Sequence, residues 1–108
     1  MAVGDTISGM TASVAASATI TFQPSAGVEV LITQVGTNQV GGSAPAIYPE
    51  ISVGIYDGSN AFQVSFMNGS SSAMGLAYKL FVNNTNYLQI TNNSSSSATL
   101  GYCGIQTK

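Results

Sequence analysis

Glu29, Glu50 and Asp57 are the residues of this 108-residue chain with the most chemical potential, because a pair of carboxylates is the one constellation here that could do acid–base work, on a glycosidic bond. Glu29 falls inside an expected strand, whereas Glu50 and Asp57 flank the segment that opens at Ile51. That placement reads as solvated strand-edge and turn carboxylates. The sequence contains no histidine, so Ser-His-Asp and Cys-His nucleophiles and imidazole metal sites have no parts to build them. The many serines therefore belong to turns. Cys103 is the single cysteine, which leaves no intrachain disulfide and no cysteine zinc cluster. Lying between Tyr102 and Gly104 without a basic neighbour, it is expected to be a small buried hydrophobe and not a reactive thiol. Asp57-Gly58-Ser59-Asn60 resembles part of a calcium loop but lacks its spacing and closing glutamate, and so reads as a plain turn. No catalytic residue, cofactor site or metal site is expected.

Tyr48, Tyr56, Tyr78, Tyr87 and Tyr102, with asparagines nearby, could form a platform on which sugars stack and hydrogen-bond. Core and interface packing account for them equally well. Four stretches match the glycosylation sequon: Asn68-Gly69-Ser70, Asn83-Asn84-Thr85, Asn92-Asn93-Ser94 and Asn93-Ser94-Ser95. They read as turns, because the start Met1-Ala2-Val3-Gly4-Asp5 has neither the basic nor the apolar region of a secretory signal. No stretch approaches the ~18 apolar residues of a membrane span. The expectation is a chain made in the cytosol with no membrane partner.

Charged residues make up 6% of the sequence, two basic and four acidic, against a usual value of about 25%. Ser, Thr, Asn and Gly take their place. A free domain normally relies on surface charge to avoid its neighbours, so this composition points to a surface held against other protein. The net charge of −2 and the lack of any Lys/Arg cluster argue against nucleic acid as a partner.

Period-two alternation supplies the elements. Residues 1–16 are small and polar, an arm or edge strand, and residues 17–108 form one domain large enough for a single core. Ile20 and Phe22 share a strand face. Val28, Val30 and Ile32 share a face of the next, with Leu31 and Val35 on the other, which suggests a central strand covered on both sides. Residues 36–49, with Pro45 and Pro49, form the longest loop. Ile51, Val53 and Ile55 pair across the turn 57–60 with Phe62, Val64 and Phe66 as a hairpin. Tyr78, Leu80 and Val82 precede Asn83-Asn84-Thr85-Asn86, and Leu88 and Ile90 follow it, a second expected hairpin. Leu100, Tyr102, Cys103 and Ile105 make the last strand. No window has helical spacing. These elements describe an all-β antiparallel sandwich, jelly-roll-like, with an N-terminal arm; an immunoglobulin-like sandwich and a small barrel are the alternatives.

Four pieces carry a resemblance: Val28-Glu29-Val30-Leu31-Ile32-Thr33; Gly54-Ile55-Tyr56-Asp57-Gly58-Ser59-Asn60; Lys79-Leu80-Phe81-Val82-Asn83-Asn84-Thr85-Asn86-Tyr87-Leu88-Gln89-Ile90-Thr91-Asn92; and Gly101-Tyr102-Cys103-Gly104-Ile105-Gln106-Thr107-Lys108. They look like small virion proteins of tailed bacteriophages, most like capsid decoration (cement) proteins. The resemblance implies a structural, non-enzymatic β-sandwich on the outside of the phage head. It would clamp neighbouring major capsid protein subunits, commonly as a homotrimer, with the arm at residues 2–16 and the 36–49 loop as docking elements. A receptor- or carbohydrate-binding module of a tail or fibre is the alternative, with the same fold and polar loops.

Overall fold

A computed structural model of the chain describes residues 2–38, 50–67 and 73–108. They contain eight strands and no helix: β1 (Thr6–Val14), β2 (Thr19–Phe22), β3 (Val30–Thr37), β4 (Ile51–Tyr56), β5 (Ala61–Met67), β6 (Ala73–Val82), β7 (Tyr87–Asn92) and β8 (Ala98–Gln106). Sheet I has the order β1-β8-β3-β6 and sheet II the order β2-β7-β4-β5, with every pairing antiparallel. All connections cross between the sheets except β4–β5, which is the wrapping of an eight-stranded jelly roll. The expected fold class is the observed one.

Of the two readings of the N-terminal segment the edge strand is the one observed, and one other local expectation changes. Residues 6–14 are an edge strand of sheet I, paired with β8 from Thr6 to Val14 and burying Ile7 and Val14. The stretch from Tyr78 to Ile90 is not a hairpin, because β6 pairs with β3 in sheet I and β7 with β2 and β4 in sheet II. Its turn is nonetheless built like the one in the true β4–β5 hairpin. Asn83 Oδ1 accepts the Thr85 and Asn86 amides at 2.9 and 2.8 Å, as Asp57 Oδ1 accepts those of Ser59 and Asn60 at 2.9 and 2.6 Å. Identical turn chemistry serves a hairpin in one place and a crossing between sheets in the other.

The core is aliphatic. Val30, Ile32, Val35, Val82 and Leu100 from sheet I meet Ile51, Val53, Leu88 and Ile90 from sheet II, all fully buried. Each such side chain contributes about 1.5–3 kcal/mol on leaving water. β3 is the central strand expected, but only one of its faces is covered. Thr33 is an extra residue between Ile32 and Gln34, so Val35 returns to the core side while Thr33 is exposed. A second irregularity lies in β5, where Gln63 pairs with Gly54 and Ser65 with Val53, leaving Val64 unpaired. Each bulge faces a glycine. A Cβ on Gly104 would strike the carbonyl of Leu31, and one on Gly54 the carbonyl of Phe62.

At one end of the sandwich, the buried Asn92 joins the sheets. Its Nδ2 donates to the carbonyls of Val14, Ala15 and Ser96 at 3.0, 3.3 and 2.9 Å, and its Oδ1 accepts from Ser94 N and Oγ at 3.0 and 2.6 Å. Its backbone N–H and carbonyl pair with Ala18 O and Ser17 N. Burial of a side-chain amide is tolerated here because every hydrogen-bonding group of it is used.

Asn92→Ala should therefore lower unfolding free energy by about 2–4 kcal/mol in urea titrations, since it strands buried carbonyls as well as deleting bonds. Asn92→Asp must face three carbonyls, which raises its folded-state pKa above the unfolded value of about 3.9. Its loss should be smallest at acid pH and grow as pH rises through the folded pKa. Gly54→Ala and Gly104→Ala should each cost about 2–4 kcal/mol, because a backbone atom rather than a flexible side chain stands in the way.

Candidate functional site

The candidate carboxylates are dispersed. Glu50 precedes β4 and Asp57 follows it, so the length of that strand, roughly 20 Å, separates them, against the ~5–9.5 Å of a glycosidase pair. Glu29 is not inside a strand as expected but one residue before β3, where its Oε1 accepts the Thr107 hydroxyl at 2.8 Å and its carbonyl accepts the Thr107 amide at 2.8 Å. Glu29 thus braces the chain beyond β8. Asp57 braces its turn: the Asn60 amide, then the Ser59 amide, hold its carboxyl below the usual 3.8. Among the described residues no group of three or more His, Cys, Asp or Glu side chains could hold a metal, and no helix is long and apolar enough to cross a membrane.

The tyrosines whose side chains are described, Tyr56, Tyr87 and Tyr102, do not assemble into one platform; the side chain of Tyr78 is outside that set. Tyr102 is half-buried, stacked on Phe22 at 4.9 Å and 26° and lying across Gly9, where a Cβ would come within 2.5 Å of its oxygen. Burial raises its phenol pKa above 10.0. Tyr56 and Tyr87 form an edge-to-face pair at 5.6 Å and 80° on the outer face of sheet II. Tyr48 lies outside the described residues, as do residues 39–49 of the expected docking loop and the sequon at Asn68. Asn83 is a turn residue and Asn92 the last residue of β7, the latter too buried to be a glycosylation acceptor.

What the fold does assemble is a sheet face with a single charge, the exposed Lys79 of the edge strand β6, two residues from Phe81. Of the charged residues, Lys79 alone lies in a strand; Asp5, Glu29, Glu50, Asp57 and Lys108 lie outside them. Three register rows cross the outer face of sheet I: Thr6, Ile105, Leu31 and Phe81; Ser8, Cys103, Gln34 and Gly75; Met10, Gly101, Gly36 and Ala73. In the first row Phe81 is 51% and Ile105 41% exposed, with Leu31 between them half-buried. A contiguous apolar strip facing water marks a contact surface more than a lone exposed residue does. The third row sets a cleft of about 340 Å³ over Gly36 and Gly101, walled by Met10, itself 77% exposed.

Cys103 belongs to this face. The expectation of a buried thiol fails, since Cys103 is exposed beside Thr33, whose hydroxyl donates to its carbonyl at 3.3 Å. The parity of β8 is the cause: Leu100, Gly104 and Gln106 face the core, so Cys103 and Ile105 between them face out. Sequence alternation named Ile105 as a strand residue and passed over Phe81 between Leu80 and Val82, and only the register across β8, β3 and β6 shows that the two share a row with Leu31.

The Asp57 brace has a pH signature. A carboxyl whose folded pKa is depressed adds stability above its unfolded pKa and loses it as pH falls through the folded value. Urea midpoints measured from pH 5 downward should fall below about 3.8 in the parent, and Asp57→Asn should remove part of that slope. No protein-family model matches this chain, and no curated protein is detectably similar to it.

Proposed function

We propose that this chain is a structural virion protein that binds the outer surface of a bacteriophage capsid through sheet I and stabilises contacts between major capsid protein subunits. The observation that carries the reading is the row Ile105, Leu31 and Phe81, an exposed apolar strip on a face whose one charged residue is Lys79. The resemblance to decoration proteins supplies the partner. Jelly rolls serve in capsid and lectin domains alike, so the fold alone does not choose between them.

The energetics suit the role. A protein that binds only the assembled lattice stabilises it by mass action. Contact through apolar and hydroxyl groups is little affected by salt, because screening acts on charge. Homotrimers at local threefold positions belong to the same proposal. β1 forms the edge of the face instead of a free arm, so docking through residues 2–16 takes the form of a strand surface.

Added to capsids that lack it, the protein should bind at fixed stoichiometry and raise the temperature at which the shell opens, with no hydrolytic activity. Phe81→Asp and Ile105→Asp should each weaken binding about 10–100-fold, since burying such a side chain is worth about 1.5–3 kcal/mol and 1.4 kcal/mol is tenfold. Raising salt from about 0.1 to 1 M should change affinity little. Parent-like occupancy by both variants, or labelling of the tail tip instead of the head in cryo-EM, overturns the proposal.

A further inference from the structure

The opposite face of the sandwich is chemically different. Three rows cross sheet II: Tyr87, Tyr56 and Ala61; Thr21, Gln89, Gly54 and Gln63; Thr19, Thr91, Ser52 and Phe66. Around the buried Gly54 lies a groove of about 210 Å³ lined by Ser52, Gly54, Phe62, Gln63, Gln89 and Thr91. Gly54 is glycine because the β5 bulge brings the Phe62 carbonyl over it, and that backbone contact forms part of the groove's floor region beside Phe62 and Gln63.

The groups around the groove are neutral and partly unspent. Ser52 Oγ accepts from Asn93 Nδ2 at 3.1 Å, and Thr91 Oγ1 shares a 3.0 Å hydrogen bond with Thr19 Oγ1. The amides of Gln63, exposed, and Gln89, half-buried, have no hydrogen-bond partner among the described residues. They stand in register on either side of Gly54.

We infer that this groove is a binding site for a neutral oligosaccharide. Each glutamine amide presents two donors and an acceptor, the complement of neighbouring sugar hydroxyls. The Tyr56–Tyr87 pair borders the amide row and offers a ring surface for the apolar side of a pyranose. None of the residues named in these rows is charged, which disfavours phosphate and sulfate and matches an uncharged polyol. A protein occupant fits less well, since an interface centre calls for apolar anchors and this face is mainly amide and hydroxyl. The inference does not rest on the capsid proposal. With sheet I against a shell, sheet II would face outward.

The test is a ¹⁵N–¹H correlation spectrum of the full chain titrated with three probes: maltohexaose, cellohexaose and chitin hexasaccharide. At least one should shift the side-chain amides of Gln63 and Gln89 and the backbone amide of Gly54, with a dissociation constant of about 0.1–10 mM. Gln63→Ala/Gln89→Ala should weaken that binding at least about tenfold while the rest of the spectrum and the urea midpoint stay put, since neither amide supports the fold. No shift at these three residues with any probe overturns the inference. So does concentration-dependent broadening of the same signals without sugar, which would make the face a contact between copies. Capsid binding by sheet I variants is read separately, so either proposal can fail without the other.

Discussion

Side chains alternate faces along a strand, and a sandwich has only one dry side, so the parity of every strand must be correct along its whole length. β3 meets this constraint with an extra residue. Ile32 and Val35 are three apart, an odd spacing that would send one of them into water, and Thr33 absorbs the mismatch. β5 does the same at Val64. Both corrections press the bulged backbone against its neighbour, and both neighbours are glycines, Gly104 and Gly54. The surfaces follow from these two adjustments. One turns Thr33 outward on sheet I, and the other brings the Phe62 carbonyl over Gly54 on sheet II.

The result is a molecule with two unlike faces and its charge moved to the margins. Asp5, Glu29 and Asp57 lie at the end where β3 starts and β4 finishes, spent on local braces or exposed. At the other end Asn92 ties the close of β7 to the close of β1, so the sheets are joined there by hydrogen bonds as well as by the core between them. A rigid slab results. Its apolar strip and its amide groove are displayed by strands instead of loops, which fixes the spacing of their contacts to the strand separation of about 4.8 Å.

Much of the fold was legible because alternation reports burial. Ile20 with Phe22, Ile51 with Val53 and Ile55, and Leu88 with Ile90 all lie on the faces their spacing predicts. What was not legible depended on partners far away in sequence. Asn83 to Asn86 carries the signal of a hairpin turn, yet whether the chain returns to the same sheet is decided by Val82 meeting Val30 and Leu88 meeting Ile55. The bulge at Thr33 hid Val35, because a strict period assigns it to the wrong side. Cys103 is outward by plain alternation with the buried Leu100, Gly104 and Gln106, a parity hidden in the sequence because two of those inward positions are a glycine and a glutamine. Neither the Ile105–Leu31–Phe81 strip nor the Gln63–Gly54–Gln89 row exists within one segment, so no local motif announced them. Asn92 looked like one more loop asparagine, and only its burial reveals the load it carries.

The borders of the sheets govern what such a molecule does in a crowd. With so few charges, repulsion between copies is weak, and an unpaired straight strand would invite the next copy to extend the sheet without end. Each border of this protein is poorly suited to that. β1 is distorted between Thr11 and Val14, with Ser13 at a φ of 58°. β5 carries its bulge, β6 slips register between its pairings with Ile32 and Gln34, and β2 is four residues long. Such rims disfavour edge-to-edge growth into fibrils and leave the broad faces as the surfaces open to contact.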